Sequence, residues 1–378
     1  MRVLIVGGGI AGLTLAGLLQ QRGFRPEVVE KTHDYGGVGY VLGLWPAGSS
    51  ILKGLGLYED YAEAGELFST YSIADSHGET LHSYDMASLA DEYGPAYLVM
   101  RAELVDRLRS RVDDDLVRMG TTVSALEQDA ESVHVSFDDG SAGTYDLVVG
   151  ADGIRSQIRE LVFGDVPLDY HGFTGWAFWV DPELASPGDV VEYWTAGRFF
   201  GLYPTEDRLA CFVAKSAEPN EPDPVETRIE RIRDEFGDLG GVVPDVLADL
   251  TDPTDVWHDD FNDVRMDEWY DGRVVLIGDA SHAVLPTAGV GASMAMESAA
   301  VLADELTRTD SRFVTNAFER FVDRRRERVD RIQTKSRRMG SIAMLDNGVL
   351  AALRNQSVKI YSQERLEAYW RDILSSDL

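Results

Sequence analysis

The 378-residue chain is 44% hydrophobic and 26% charged, enough apolar material to bury the cores of two domains. Its formal charge of −30 repels phosphate and argues against nucleic acid and anionic membrane surfaces as partners. Cys211 is the only cysteine, which excludes an internal disulfide. No apolar run reaches about 18 residues, and no basic leader precedes the apolar stretch at Val3; a cytoplasmic protein without signal peptide or membrane span is expected. Only Lys31, Lys53, Lys215, Lys335 and Lys359 are lysines among 35 basic residues. That balance fits a salt-rich cytoplasm, where ions screen self-repulsion, and equally an ordinary acidic protein of a GC-rich genome.

Residues 2–6 form a short continuous apolar run, predicting a buried parallel strand. Residues 11–22 follow as a helix closed by Gly23, and residues 26–30 as the next strand, completing a β-α-β unit. Short helices are predicted over 46–56 and over 102–112, the latter with Leu104, Val105 and Leu108 on one face. Residues 121–149 alternate as a three-stranded meander turned by Asp139-Gly140, and residues 146–150 return to a buried strand. From 165 to 260 the texture shifts to aromatics, prolines and short alternating runs, predicting an antiparallel sheet, with a helix over 223–238. The βα texture resumes over 272–308, a long basic helix covers 312–340, and residues 345–375 are also expected to be helical.

The expected fold is therefore α/β: a Rossmann-like dinucleotide domain with an inserted, mostly antiparallel β-sheet substrate domain and C-terminal helices. Residues 1–65, 98–165 and 260–340 are assigned to the first domain, 66–97 and 166–259 to the second, and 341–378 to the helical end.

Gly7, Gly9 and Gly12 match G-x-G-x-x-G between a strand and a helix. The first glycine permits the tight turn, the second lets a phosphate approach the backbone, and the third packs helix on strand; the helix N-terminus favours the pyrophosphate. Glu30 ends the second strand, where an acid binds a ribose hydroxyl. No second glycine fingerprint follows a strand, so a nicotinamide cosubstrate must bind without a Rossmann unit of its own. Asp152-Gly153 reads first as a turn, although Arg155 and Arg159 offer phosphate or carboxylate contacts. Gly278-Asp279 closes another buried strand and presents an acid suited to a polyol, which favours FAD over NAD. Pro286, Gly289 and Gly291 lead into a helix near Ala292 whose dipole can stabilise negative charge. His282 has no paired nucleophile or carboxylate and is read as a core or capping residue.

These segments, in this order, resemble the single-component FAD-dependent aromatic monooxygenases, the para-hydroxybenzoate hydroxylase-like family. The resemblance covers the glycine motif with Glu30, the Arg101-x-x-Leu104-x-x-x-Leu108 segment, the 150–156 Asp-Gly segment, the 278–291 Gly-Asp segment and the basic helix after Ala317. One departure is Val290, which stands where many members carry glutamine, so flavin contacts there fall to backbone N–H groups. The resemblance implies bound FAD held by Gly7, Gly9, Ile10, Ala11, Gly12, Glu30, Lys31, Arg101, Asp152, Asp279, Pro286, Gly289, Val290, Gly291, Ala292 and Ser293. Asp152 also carries a structural alternative and a possible NAD(P)H contact.

The implied activity is hydroxylation or epoxidation of a small aromatic or polyketide/isoprenoid-like substrate with NAD(P)H and O2, through a flavin C4a-hydroperoxide. The alternatives are a flavin reductase of isoprenoid double bonds and a non-catalytic flavin-binding redox protein. Candidate pocket residues are Tyr40, Leu42, Trp194, Phe200, Tyr203 and Phe212. No general base stands out; Pro286, Gly289 and Gly291 are the flavin-loop candidates. No metal site is expected, and the oligomer is a monomer or homodimer.

Overall fold

A computed structural model describes residues 1–35 and 39–376. Its backbone is organised by two large sheets. Val3–Val6 lies at the centre of the first, hydrogen-bonded in parallel to Glu27–Glu30 on one side and Leu147–Gly150 on the other. Val117–Met119 and Val274–Leu276 extend it in parallel, and Tyr270–Asp271 adds an antiparallel edge. Strands buried on both faces need no polar alternation, which is why this sheet reads as continuous Val, Ile and Leu. Helices Ile10–Gln21 and Gly291–Thr307 pack against each other beside it.

The second sheet has seven strands in the order Trp257–Asp263, Asp169–Val180, Leu209–Ser216, Arg198–Pro204, Asp189–Trp194, Thr70–Ala74, Thr80–Asp85. Its pairings are antiparallel except for Asp189–Trp194 against Thr70–Ala74. Strict alternation gives it two different faces. One face carries Trp176, Phe178, Phe200, Leu202, Cys211 and Val213 into a core with helices Arg228–Phe236 and Val243–Asp249. The other face looks toward the dinucleotide domain.

Two features depart from the sequence expectation, and a third refines it. Val41–Leu44, Tyr97–Met100 and Glu66–Leu67 form a small antiparallel sheet, whose residues Val41, Leu42 and Leu98 line the cavity described below. Its strands are short and pair across 30 to 59 residues of chain, so no local pattern announces them. The predicted helix over 223–238 is shorter, Arg228–Phe236, because the preceding prolines and turn occupy its first residues. The helical end is two helices, Gly348–Lys359 and Gln363–Leu374. The first is capped by Asn347, whose side chain accepts from the Val349 and Leu350 amides.

The long helix Val314–Ala343 is fixed to Gly291–Thr307 by a buried ion cluster. Glu297 accepts from Arg325 at 2.6 Å and from Arg328 at 2.5 and 2.7 Å. Burial pushes the Glu297 carboxyl up, but the two guanidiniums prevail and hold it below the usual carboxylate range. Among the described residues, no helix is long and apolar enough to cross a membrane.

Candidate active site

A cavity of about 440 Å³ lies between the two large sheets. At one end it is built from backbone. Gly9 caps Ile10–Gln21 without a side-chain cap, and no acidic residue stands in the first turn. The first N–H groups of this helix therefore have no intrahelical partner. Gly9, Ile10 and Ala11 all line the cavity. A Cβ at Gly9 would meet nothing within 4 Å, whereas one at Gly7 would lie 2.3 Å from the Ala151 carbonyl oxygen and one at Gly12 1.9 Å from that of Gly7. The three glycines thus divide their work: Gly7 and Gly12 permit tight packing, and Gly9 leaves an open approach to the helix N-terminus.

Asp279 opens onto the same end from the Gly278 turn, which has φ +60°. Its side chain is exposed where it lines the cavity; the surrounding protein pushes its pKa up by desolvation, and Arg101 opposes that shift. The Arg101 guanidinium lies 5.9 Å from the centre of the Tyr40 ring, and its amide donates to the Tyr40 carbonyl. Pro286, Gly289, Gly291 and Ala292 complete this wall. Gly291–Thr307 also starts without a side-chain cap or an acidic first turn. Gly289, at φ +61°, is fixed by its carbonyl, which accepts from Trp45 Nε1 at 2.9 Å.

The donor set fits FAD: two uncapped helix N-termini for negative charge, a cavity-lining carboxylate for ribityl hydroxyls, and an arginine near that carboxylate.

The other end is built from side chains of the seven-stranded sheet. Val190, Glu192 and Trp194 alternate toward the cavity, as do Phe199 and Tyr203, and Phe212 and Ala214. Phe173 and Phe261 complete the aromatic wall at 4.8 Å from each other. In this apolar surround Glu192 accepts from Tyr71 OH at 2.5 Å, Tyr203 OH at 2.9 Å and Trp194 Nε1 at 3.0 Å. Burial pushes the Glu192 carboxyl up, and these three donors oppose the shift. Leu366, Tyr369 and Trp370 of the C-terminal helix close this end, and Trp370 stacks on Trp45 at 4.4 Å.

Tyr40, Leu42, Trp194, Tyr203 and Phe212 therefore line the cavity, but Phe200 does not. It is fully buried on the opposite face of the sheet, 5.5 Å from Phe236, because it sits one residue out of phase with Phe199 and Tyr203. Val290 is buried in the core and Ser293 accepts from the Trp45 amide; neither lines the cavity. Glu30 accepts from the Gly8 amide at 2.7 Å and ties the glycine turn to the second strand, while Lys31 is exposed beyond it. Asp152 accepts from Ser156 OH and from the Gln157 and Ile158 amides, so its carboxylate caps the helix Gln157–Phe163. Arg155 is paired with Asp259 at 2.6 and 2.9 Å, and Arg159 donates to the Ile154 and Ala280 carbonyls. His282 is buried between Ser281 and Ser298 hydroxyls and stacks 4.6 Å from Trp269. Burial, then Arg325 and Arg326, push its pKa far down and keep it neutral.

Glu192, Tyr71, Trp45, Tyr369 and Trp370 were not singled out from the sequence. Their signal is weak: Glu192 alternates with apolar neighbours as any strand polar residue does, and the two C-terminal aromatics lie on an amphipathic helix.

The profile of the FAD binding domain family matches residues 1–336. The chain is 29% identical to an aurachin C monooxygenase/isomerase of Stigmatella aurantiaca, over 98% of this chain and 97% of that protein. It is 28% identical to a 2-heptyl-3-hydroxy-4(1H)-quinolone synthase of Pseudomonas aeruginosa, over 95% and 94% of the two chains. The structure of Klebsiella pneumoniae HpxO complexed with FAD and uric acid superposes with a TM-score of 0.91 at 26% identity, covering 99% of this chain and 96% of that one. The chain belongs to the FAD binding domain family and is an FAD-dependent monooxygenase.

Proposed function

We propose that this monooxygenase oxygenates a neutral, largely apolar aromatic or heteroaromatic molecule, with NAD(P)H and O2 as cosubstrates. The observation that carries the reading is the continuity of one cavity, from an uncapped helix N-terminus and Asp279 to a chamber walled by Phe173, Phe199, Phe212 and Trp194. Relatives whose names specify quinolone and urate chemistry support an aromatic heterocycle as the substrate class. The reading assigns a cytoplasmic enzyme, monomer or homodimer.

When bound, FAD supplies hydride acceptance from the nicotinamide and activation of dioxygen. In this reading the Ile10 and Ala11 amides hold the pyrophosphate, Glu30 and Lys31 face the adenosine ribose, and Asp279 with Arg101 orients the ribityl arm. The N-terminus of Gly291–Thr307 stabilises negative charge beside the reacting ring. The aromatic wall excludes water, which protects a reactive oxygen donor from unproductive decay and holds the substrate in a fixed plane. His282, neutral and fully hydrogen-bonded, braces the Asp279 turn and moves no proton.

The test uses the purified protein. A flavin absorption spectrum, substrate-stimulated oxidation of NADH or NADPH under air, and one labelled oxygen incorporated from 18O2 into a phenol, quinolone or purine are expected. Protein that neither retains nor rebinds flavin overturns the reading, as does retained flavin with no oxygen incorporated across the panel.

A further inference from the structure

At the substrate end of the cavity a carboxylate, Glu192, is set among aromatic side chains, and the fold goes to some length to present it. Glu192 faces the cavity from the middle of Asp189–Trp194, directly opposite Gly201. A Cβ at Gly201 would lie 2.5 Å from the Tyr203 ring, so the glycine clears the space into which Tyr203 folds back to reach Glu192. Tyr71 arrives from the neighbouring parallel strand and Trp194 from two residues along the same strand. An ionised carboxylate has about four acceptor positions. Oε2 takes the Tyr71 and Trp194 donors and Oε1 takes Tyr203, so one position on Oε1 remains open.

Among the described residues, two further groups at this end have no hydrogen-bond partner: the Tyr369 hydroxyl and Trp370 Nε1, both buried. Buried donors of this kind are normally satisfied, and an unpaired one costs about 1–3 kcal/mol. Their side chains line the same cavity as Glu192. The end therefore offers an open acceptor position inside an aromatic wall, with two unpaired buried donors on the helix Gln363–Leu374 that closes it. Among the described lining residues Arg101, at the flavin end, is the one cationic side chain, against Glu192, Asp259, Asp260 and Asp279. Nothing at the substrate end neutralises an anion.

We infer that Glu192 is the specificity-determining residue of this monooxygenase: its open acceptor position takes a hydrogen bond from an N–H or O–H of a neutral heteroaromatic substrate. Tyr369 and Trp370 serve that substrate's carbonyl or hydroxyl oxygen. The preferred class is the lactam-like or phenolic heteroaromatic, which pairs a donor with a nearby acceptor; carboxylate-bearing aromatics are rejected by charge. Burial raises the carboxyl of Glu192, and its three hydrogen-bond donors oppose that shift. The inference rests on the proposed oxygenation of an aromatic in this cavity.

The test titrates FAD-loaded protein with 2-heptyl-4(1H)-quinolone, its N-methyl counterpart and a 4-quinolone-3-carboxylate, following the visible flavin spectrum and tryptophan fluorescence. Wild type is expected to bind the N–H compound at least ~10-fold more tightly than the N-methyl compound, the scale of a hydrogen bond to a charged group, and to bind the carboxylate most weakly. In Glu192→Gln the preference should fall below about threefold with FAD content unchanged. Tyr203→Phe, which keeps the ring and removes one fixing donor, should lower it partway and decides the matter if Glu192→Gln loses flavin. Equal binding of the N–H and N-methyl compounds, unchanged discrimination in the variants, tight carboxylate binding, or no binding of any probe by flavin-loaded protein would each overturn the assignment of Glu192. Wild type without flavin fails the proposed function instead, so the two failures are distinct.

Discussion

The two ends of the cavity are made of different material. The flavin end is backbone: glycines, helix N-termini and one carboxylate delivered by a strand. The substrate end is side chain: a carboxylate and aromatics gathered from several strands of the seven-stranded sheet and from the C-terminal helix. Backbone N–H groups sit where the helix puts them, so the first end tolerates little change at its glycines and is indifferent to most neighbouring side chains. Side-chain positions can be exchanged without disturbing the fold, so the second end is where substrate preference can vary. The ends meet at Trp45, which donates to the Gly289 carbonyl on one side and stacks on Trp370 on the other.

The sharpest way to break this contrast is Gly12→Ala. Its Cβ would lie 1.9 Å from the Gly7 carbonyl oxygen, which cannot move without opening the turn. Overpacking of this kind costs about 1–3 kcal/mol or more. Loss of bound flavin is expected, read as absorbance near the flavin band per mole of protein; full flavin content would show that the turn is not what forms the site.

Asp279→Ala should act on binding rather than folding. Hydrogen bonds to a charged group are worth about 1.5–3 kcal/mol, so FAD affinity should fall roughly 10- to 100-fold with an unchanged melting temperature of the flavin-free protein. Affinity within a factor of two of wild type would remove Asp279 from the cofactor site.

Trp45→Phe tests the junction. It keeps the ring against Trp370 and deletes the hydrogen bond to Gly289, a loss of about 1 kcal/mol. Flavin dissociation should quicken about fivefold, and stopped-flow release would measure it. An effect on substrate discrimination without one on flavin release would assign Trp45 to the other end.

The smallest effect concerns pH. Burial raises the folded-state pKa of Glu192, so the folded protein holds its proton to higher pH than the unfolded chain does. Stability attached to this group is therefore greatest in acid and declines as pH rises from the ordinary glutamate range, about 4.3, through the raised value. Glu192→Gln has no such titration. The wild-type melting temperature minus that of Glu192→Gln should fall as pH rises across this window; a constant difference would mean that Glu192 stays ionised throughout.

The flavin end was legible because its requirements are local. A strand, a tight turn and a helix start follow one another in ten residues, and only glycine satisfies Gly7 and Gly12. Gly278-Asp279 reads the same way, as a strand that ends on an acid. Individual assignments were less legible: Asp152, read as structural or cofactor-facing, spends its carboxylate capping a helix, and Ser293 accepts from Trp45. Phe200 illustrates the limit within a single strand. Phe199 and Phe200 are equivalent in composition, and only the register of the sheet decides which one meets the cavity.

By itself, then, the sequence determined the α/β class, the dinucleotide fingerprint and the order of the cofactor segments, because backbone conformation and burial on both sheet faces constrain residue type over a few neighbours. The tertiary structure alone decided the substrate end. Glu192 owes its character to Tyr71, 121 residues before it, to Tyr203 folding over Gly201 and to a C-terminal helix nearly 180 residues away. A carboxylate becomes an anchor through what surrounds it, and that surrounding exists only once distant strands have taken their register.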